Sequence, residues 1–413
     1  MGATLFKNIG QLINVREEDE LLRGKALANL PVIKNAWLLV EGSRIADFGP
    51  MSAMPHVLST DRNAVDLSGR MILPCWCDSH THLVFAASRE EEFVDKIKGL
   101  SYAEIAAKGG GILNSAAGLK DVSEDELFNT ACKRLEQVSK MGTGAVEIKS
   151  GYGLTTEAEL KMLRVIKKLK VKSNLLIKAT FLGAHAYPLQ YKNDHQGYIK
   201  IIIEEMLPQI AKEQLADYVD VFCETDFFSP EETMQICEAA RPYGLKAKLH
   251  ANQLHCSGGV EVGVALKALS VDHLESMDDQ AIQALSNAAT IGTLLPTAAF
   301  FLRMQYPPAR KLIESGAALA IASDYNPGSS PSGNMNLVMS MACVQMKMLP
   351  EEAINAATVN GAYAMELQKE VGSIKRGKKA NLIVTSPIPS VAYLPYSFGE
   401  NWIDRVMING EFI

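Results

Sequence analysis

Met71-Ile72-Leu73-Pro74-Cys75-Trp76-Cys77, followed at once by Asp78-Ser79-His80-Thr81-His82, decides how this chain folds. An unbroken apolar run reads as a strand buried on both faces, as strands of parallel sheets are. Side chains alternate along an extended chain, so His80 and His82 leave the strand end on the same side. Two imidazoles so placed can grip one metal ion. They can also be two polar residues at a turn, and only the rest of the chain decides between these readings.

Outward from that stretch, seven further runs of the same character follow: Ala145–Lys149, Leu176–Leu182, Tyr218–Phe222, Lys246–His250, Leu269–His273, Thr290–Leu295 and Leu319–Ser323. Helix-like segments lie between them, among them Glu157–Leu169, Glu231–Tyr243 and Gln280–Ala288, with apolar residues at 3.6-type spacing. Ser229-Pro230-Glu231-Glu232 places a capping Ser before a Pro at the first helical position. Eight strands alternating with helices over roughly 250 residues predict an α/β chain with a (β/α)8 TIM-type barrel. A doubly wound open sheet is the alternative, but no GxGxxG turn follows the first run. Gly109-Gly110-Gly111 lies in a polar stretch, lacks the GK[ST] of a phosphate loop, and reads as a mobile loop over a pocket.

The chain ends differ from this middle. Ala36–Gly42 and Arg44–Gly49 read as two short strands around a Gly turn, and Ala380–Thr385 and Asp404–Gly410 as two more. The expected division is a small β-sandwich domain from residues 1–70 together with 366–413, and a barrel over 71–365.

Composition sets bounds on partners. Hydrophobic content of 47% and charged content of 21% are ordinary for a folded soluble chain, and the net charge of −6 argues against nucleic acid or an anionic membrane as partner. No apolar stretch approaches the roughly 20 residues a membrane span needs. Met1–Val15 lacks a charged segment followed by an apolar one, so a secretion signal is not expected, and Phe6 stands where a myristoylation motif wants Ser or Thr. Cysteines at 75, 77, 132, 223, 237, 256 and 343 form an odd, scattered set, and Cys75-Trp76-Cys77 has one intervening residue, not the two of a redox or zinc motif. Reduced thiols in the cytoplasm are the expectation.

Barrel chemistry gathers at the carboxyl ends of the strands. Those ends carry His80 and His82 after the first run, His250 after the fifth, Asp272-His273-Leu274-Glu275 after the sixth, and Ser323-Asp324 after the eighth. His56, His195 and His255 fall elsewhere and read as solvated or structural. Taken singly, Asp324 could be a helix N-cap and His273 a buried histidine satisfied by backbone. Together, three neutral imidazoles and a carboxylate make a shell for zinc or non-haem iron with one position open for water, whose pKa such a metal lowers to about 7. A base must then move a proton to the leaving group, and Asp324 and His273 are the candidates.

With these residues the chain resembles the amidohydrolase superfamily. Gly372-Ser373-Ile374-Lys375-Arg376-Gly377-Lys378-Lys379-Ala380-Asn381-Leu382-Ile383-Val384 is similar to its closing motif GxIxxGKxADLVV, with Asn381 in place of the usual Asp. Within the superfamily, His80-Thr81-His82-Leu83-Val84-Phe85-Ala86 through Arg89, Glu147-Ile148-Lys149-Ser150-Gly151-Tyr152-Gly153-Leu154, Phe181-Leu182-Gly183-Ala184-His185-Ala186 and Ser323-Asp324-Tyr325-Asn326-Pro327-Gly328-Ser329 resemble segments of the imidazolonepropionase family. That resemblance spans essentially the whole chain. It implies hydrolytic opening of a small anionic substrate, 4-imidazolone-5-propanoate, to N-formimino-L-glutamate in histidine degradation.

The same resemblance implies one zinc or iron ion per chain on His80, His82, His250 and Asp324. It implies substrate contacts at Arg89, Tyr152 and His185, and places Gln253 against the ring. Asn326, Gly328 and Ser329 would meet the propionate or the product's carboxylate. Gln253 cannot act as a general base, which leaves that duty to Asp324 and His273. Lys149 could be carbamylated between two metals, as in some amidohydrolases, but the family resembled is mononuclear, so a structural or substrate-side role is expected. A homodimer is implied as well. The competing readings are another cyclic amidase or nucleobase deaminase of the superfamily, set apart by Arg89, Tyr152 and the Asn326–Ser329 loop, and a non-catalytic subunit, which would be expected to have lost ligands.

Overall fold

Two sheets share the chain in the structure, a computed structural model that describes residues 2–59, 64–100, 104 and 110–413. The first sheet takes β1 (Ala3–Ile13), β2 (Val32–Glu41), β3 (Arg44–Pro50), β4 (Val65–Asp66) and β5 (Met71–Pro74). The second takes β6 (Trp76–Asp78), β7 (Thr143–Lys149), β8 (Leu176–Ala184), β9 (Tyr218–Cys223), β10 (Lys246–Ala251), β11 (Ser270–His273), β12 (Ile291–Leu294) and β13 (Leu319–Ile321). The chain then returns to the first sheet with β14 (Leu382–Thr385), β15 (Ile403–Ile408) and β16 (Glu411–Phe412).

The second sheet has eight strands in sequence order, every neighbouring pair parallel. It closes between its two edges just beyond β6 and β13. There Asp324 N–H donates to His80 O at 3.0 Å and His82 N–H to Tyr325 O at 2.9 Å. This is the (β/α)8 barrel, and its seam lies at the residues whose side chains matter most. Helices pack outside it, among them Thr156–Lys172, Pro230–Ala240 and Asp279–Ser286. Ser229 caps the second of these in a capping box with Glu232, and a 3-10 turn at Arg241–Tyr243 follows, where Pro242 offers no N–H to continue the helix.

The first sheet runs β16-β15-β14-β5-β1-β2-β3, with β4 beside β1. It curls into a small sandwich: Ile45 and Phe48 of β3 share one buried core with Leu382, Val384 and Met407 from the far side of the sheet. Ile45 N–H to Lys378 O and Ala380 N–H to Ser43 O, both 2.9 Å, fasten the two sides together.

One expectation is corrected here. Met71–Cys77 is two strands in two sheets, not one barrel strand. Met71–Pro74 pairs with β1 and β14, whereas Trp76–Asp78 pairs with β7. The switch falls at Pro74, which has no N–H, and at Cys75, whose N–H goes to Asn381 O at 3.0 Å before Trp76 N–H reaches Gly142 O at 2.9 Å. Every residue of the run is buried, so no polar alternation marks the change of sheet. Asn381 sits at this junction, its Nδ2 donating to Gly144 O of β7 at 3.3 Å and its Oδ1 accepting from Asn409 N–H at 2.8 Å. The loop expected at Gly109–Gly111 starts outside the described residues; Gly111 leads into the helix Ile112–Asp121. Among the described residues no helix is long and apolar enough to cross a membrane.

Candidate active site

At the carboxyl ends of β6, β10, β11 and β13 four histidines and an aspartate converge. His82 Nε2 lies 3.3 Å from His250 Nε2. Asp324 Oδ1 lies 3.5 Å from His80 Nε2 and 3.6 Å from His82 Nε2. Ligand atoms of His80, His82 and His250 fall within 4.8 Å of one another, as do those of His80, His273 and Asp324. All five side chains are buried. His80 Nε2 has no hydrogen-bond partner, and a buried polar nitrogen left so would cost about 1–3 kcal/mol. A cation among these atoms satisfies it, so the residues present fit a metal ion: His80, His82 and His250 form a metal-binding site.

The backbone is strained to aim these groups. Asp324, His273 and Leu274 have φ of 52°, 88° and 70°, in a region that costs a non-glycine residue about 1–3 kcal/mol. The strain sits at the mouths of β11 and β13, where side chains turn from strand to cavity.

Below the histidines lies a layer of buried ions. Asp272 Oδ2 accepts from His80 Nδ1 at 2.7 Å, and Asp220 Oδ2 lies 3.0 Å from His250 Nδ1. Lys149 Nζ joins those two aspartates to Glu147, at 2.8 Å from Asp220, 3.5 Å from Asp272 and 2.6 Å from Glu147. Lys248 pairs with the other oxygen of Glu147 and donates to Ser79 O at 3.1 Å. A carboxylate behind a ligand imidazole fixes its tautomer and raises its basicity. Asp78 ties β6 to β13 by accepting from Ser323 N–H at 2.9 Å and Ser323 Oγ at 2.6 Å.

Burial, helped by neighbouring cationic groups, holds His80, His82 and His250 well below the ordinary imidazole range, as neutral ligands require. Burial pushes Asp324 up to about 6 despite His273 and the Ser329 and Asn326 hydrogen bonds. For His273 burial works downward, but Glu275 and then Asp324 and Asp272 outweigh it and hold the ring above its usual value. Burial lowers His185 to about 4.

Over the histidines opens a cavity of about 520 Å³. His82, His250, His273 and Asp324 line its floor; Arg89, Tyr152, His185, Gln253, Asn326, Gly328 and Ser329 line its walls. His80 lies deeper. The residues expected from the sequence are thus brought to one place. His185 Nδ1 donates to Gly151 O at 3.0 Å, which turns its Nε2 into an acceptor, and its ring stacks on His82 with centroids 5.3 Å apart. Glu159, buried, holds the loop that carries Tyr152 by accepting from Gly151, Gly153 and Leu154 N–H at 3.0, 2.7 and 3.0 Å. Asn326 Oδ1 accepts from Gly328 and Ser329 N–H, both 2.8 Å, and its Nδ2 donates to Asp324 O and Ser329 Oγ.

Sequence reasoning missed Asp220 and Lys248, left Glu147 and Asp272 without a role, and passed over Glu159 and Lys96. A signal existed for the first group. Charged residues inside runs read as buried strands must find partners, and alternate positions of a barrel strand share the inward face. Lys149 belongs to this ionic layer and is not among the residues lining the cavity.

Barrel, end sheet and a buried histidine cluster at the strand mouths are the build of a metal-dependent hydrolase. The sequence pattern of the amidohydrolase family matches residues 71–413. The chain is 56% identical over 410 residues to the imidazolonepropionase of Christiangramia forsetii, covering 99% of each, and 55% identical over 411 residues to that of Flavobacterium johnsoniae, covering 99% of this chain and 100% of that one. In fold it is similar to a zinc-bound adenosine deaminase from Xanthomonas campestris, with a TM-score of 0.69 and 15% identity, covering 99% of this chain and 92% of that one. The chain belongs to the amidohydrolase family and, within it, to the imidazolonepropionases.

Proposed function

We propose that the protein opens the ring of 4-imidazolone-5-propanoate by hydrolysis, yielding N-formimino-L-glutamate in histidine breakdown. The observation that carries this reading is the cavity itself. Its floor is the histidine–aspartate cluster, and its wall offers a guanidinium for a carboxylate beside polar rings for a small heterocycle. One zinc or iron ion per chain, held by His80, His82, His250 and Asp324, would polarise the ring carbonyl and activate water.

The chain's own groups then divide the work. Asp324, its Oδ2 held by Ser329 Oγ at 3.1 Å, takes the proton of the attacking water. His273, with a ring nitrogen within 4.8 Å of that carboxylate, hands a proton to the ring nitrogen as the C–N bond breaks. His185 presents its acceptor nitrogen to a ring N–H, Tyr152 and Gln253 orient the ring, and Arg89 anchors the propionate. Asn326 shapes the loop around Gly328 and Ser329.

The two sheets support a division into an end domain and a barrel, with the crossing at Cys75 and so four residues later than residues 1–70 with 71–365 and 366–413 would put it. The homodimer follows the family resemblance; the cytoplasm follows the cysteine usage, with which seven free thiols agree. The test is direct: purified, metal-analysed protein is mixed with imidazolone propionate and the loss of ring absorbance followed. One metal per chain and a rapid loss are expected; no loss with the site filled sinks the reading.

A further inference from the structure

We propose that Lys96 is a substrate-binding residue: its ammonium, beside Arg89, receives the substrate's carboxylate and gives this end of the cavity its net positive charge. This rests on the function proposed above and adds a second cation to it.

Arg89 precedes the helix Glu90–Ile97, and Lys96 follows it by two turns, on the same face. The two cations meet at Gly328. A Cβ on Gly328 would come within 2.3 Å of Arg89 Nη1, and Lys96 Nζ lies 3.4 Å from Gly328 O. Arg89 alone does not make this place electropositive. Its Nη2 is paired with Glu92, a buried carboxylate whose other oxygen accepts from Gly111 N–H at 2.9 Å. The Arg89–Glu92 pair is neutral as a unit, so the net charge that draws an anion must come from another group.

The neighbouring loop cannot supply it. The N–H groups of Gly328 and Ser329 both point to Asn326 Oδ1, and both Asn326 amide hydrogens are used inside the loop. Lys96 has three donors, and among the described residues Nζ makes one long hydrogen bond, to Gly328 O, lies 5.8 Å from the Phe301 ring centroid and feels the charge of Glu92, which it shares with Arg89. Phe301 is itself held by Phe93, with stacked centroids 5.4 Å apart, and it offers the ammonium a ring face and no hydrogen-bond acceptor atom. A carboxylate between the two side chains accepts from Lys96 Nζ and relieves the repulsion between the two cations.

The test uses the metal-loaded enzyme with Lys96→Met, which keeps the length of the stem and removes the charge. KM is expected to rise at least tenfold while kcat falls less than threefold, and the dependence of kcat/KM on ionic strength should flatten. Lys96→Arg should restore KM to within threefold. The uncharged amide analogue of the substrate should be handled alike by wild type and Lys96→Met. Titration of glutarate into wild type and Lys96→Gln, read by calorimetry, reports the same contact without turnover and should be at least tenfold weaker in the variant. A KM within twofold of wild type, a fall in kcat alone, or equal glutarate binding overturns the role of Lys96. If wild type binds glutarate through Lys96 but never opens the imidazolone ring, the proposed function fails and the anion site stands.

Discussion

Replacing Lys149 with methionine asks whether the ions beneath the histidines hold the metal centre together. Methionine keeps the length of the stem and removes the ammonium. Glu147, Asp220 and Asp272, all fully buried, would then face Lys248 alone. Removing one partner from a buried ionic group costs roughly 3–5 kcal/mol, because the charges left behind are neither solvated nor paired. Such a charge is relieved by taking up a proton. A protonated Asp272 no longer accepts a charge-assisted hydrogen bond from His80 Nδ1, and a protonated Asp220 no longer sets a negative charge 3.0 Å from His250 Nδ1, so both imidazoles lose basicity and orientation. Loss of a group behind a metal ligand typically weakens metal binding 10- to 100-fold, or about 1.4–2.7 kcal/mol. The stability loss is thus the larger effect and should show in the metal-free protein. Urea unfolding under chelator reads it, and competition with a chromophoric chelator reads the affinity. Unchanged unfolding would mean that Lys149 is not paired as the structure has it. Lower stability with unchanged metal affinity would break the link between this layer and the histidines.

Asp324→Asn should reduce turnover by at least the 10²–10⁴ typical of a proton-transfer group while leaving the circular dichroism spectrum intact; wild-type rates would remove Asp324 from the mechanism. Arg89→Ala should raise KM roughly 10- to 150-fold, since a hydrogen bond to a charged group is worth about 1.5–3 kcal/mol, and an unchanged KM would place the carboxylate elsewhere. The metal-free protein should lose stability on acidification through His185, whose folded pKa of about 4 lies below its ordinary 6.5. No penalty applies above 6.5; it grows as pH falls and is complete near 4, where this residue accounts for about 3 kcal/mol. His185→Gln should remove about one proton from the uptake on acid unfolding, and an identical pH slope in that variant contradicts the shift.

How far the fold and site could be read in advance depended on what each residue has to do. The barrel was legible because its strands are short apolar runs between amphipathic helices, and the ligands because histidines recur just past those runs. Met71–Cys77 misled for the same reason it was informative: a stretch buried on every side has no alternation to show that Met71–Pro74 serves one sheet and Trp76–Asp78 another. The ionic layer stayed hidden because all its pairs but Lys149–Glu147 close over long separations, Lys149 to Asp220 across 71 residues and to Asp272 across 123. A lone charge in a strand announces that it needs a partner, not which one. Asn326 shows the limit of motifs from the other side. Its place in the loop motif marks it as needed near the carboxylate, yet its amide oxygen accepts two hydrogen bonds and its amide nitrogen donates two, all within its own loop. An amide so saturated has no group left for an anion. It fixes the loop against which Arg89 and Lys96 stand, and the proposed recognition of charge falls to residues that still have donors to give.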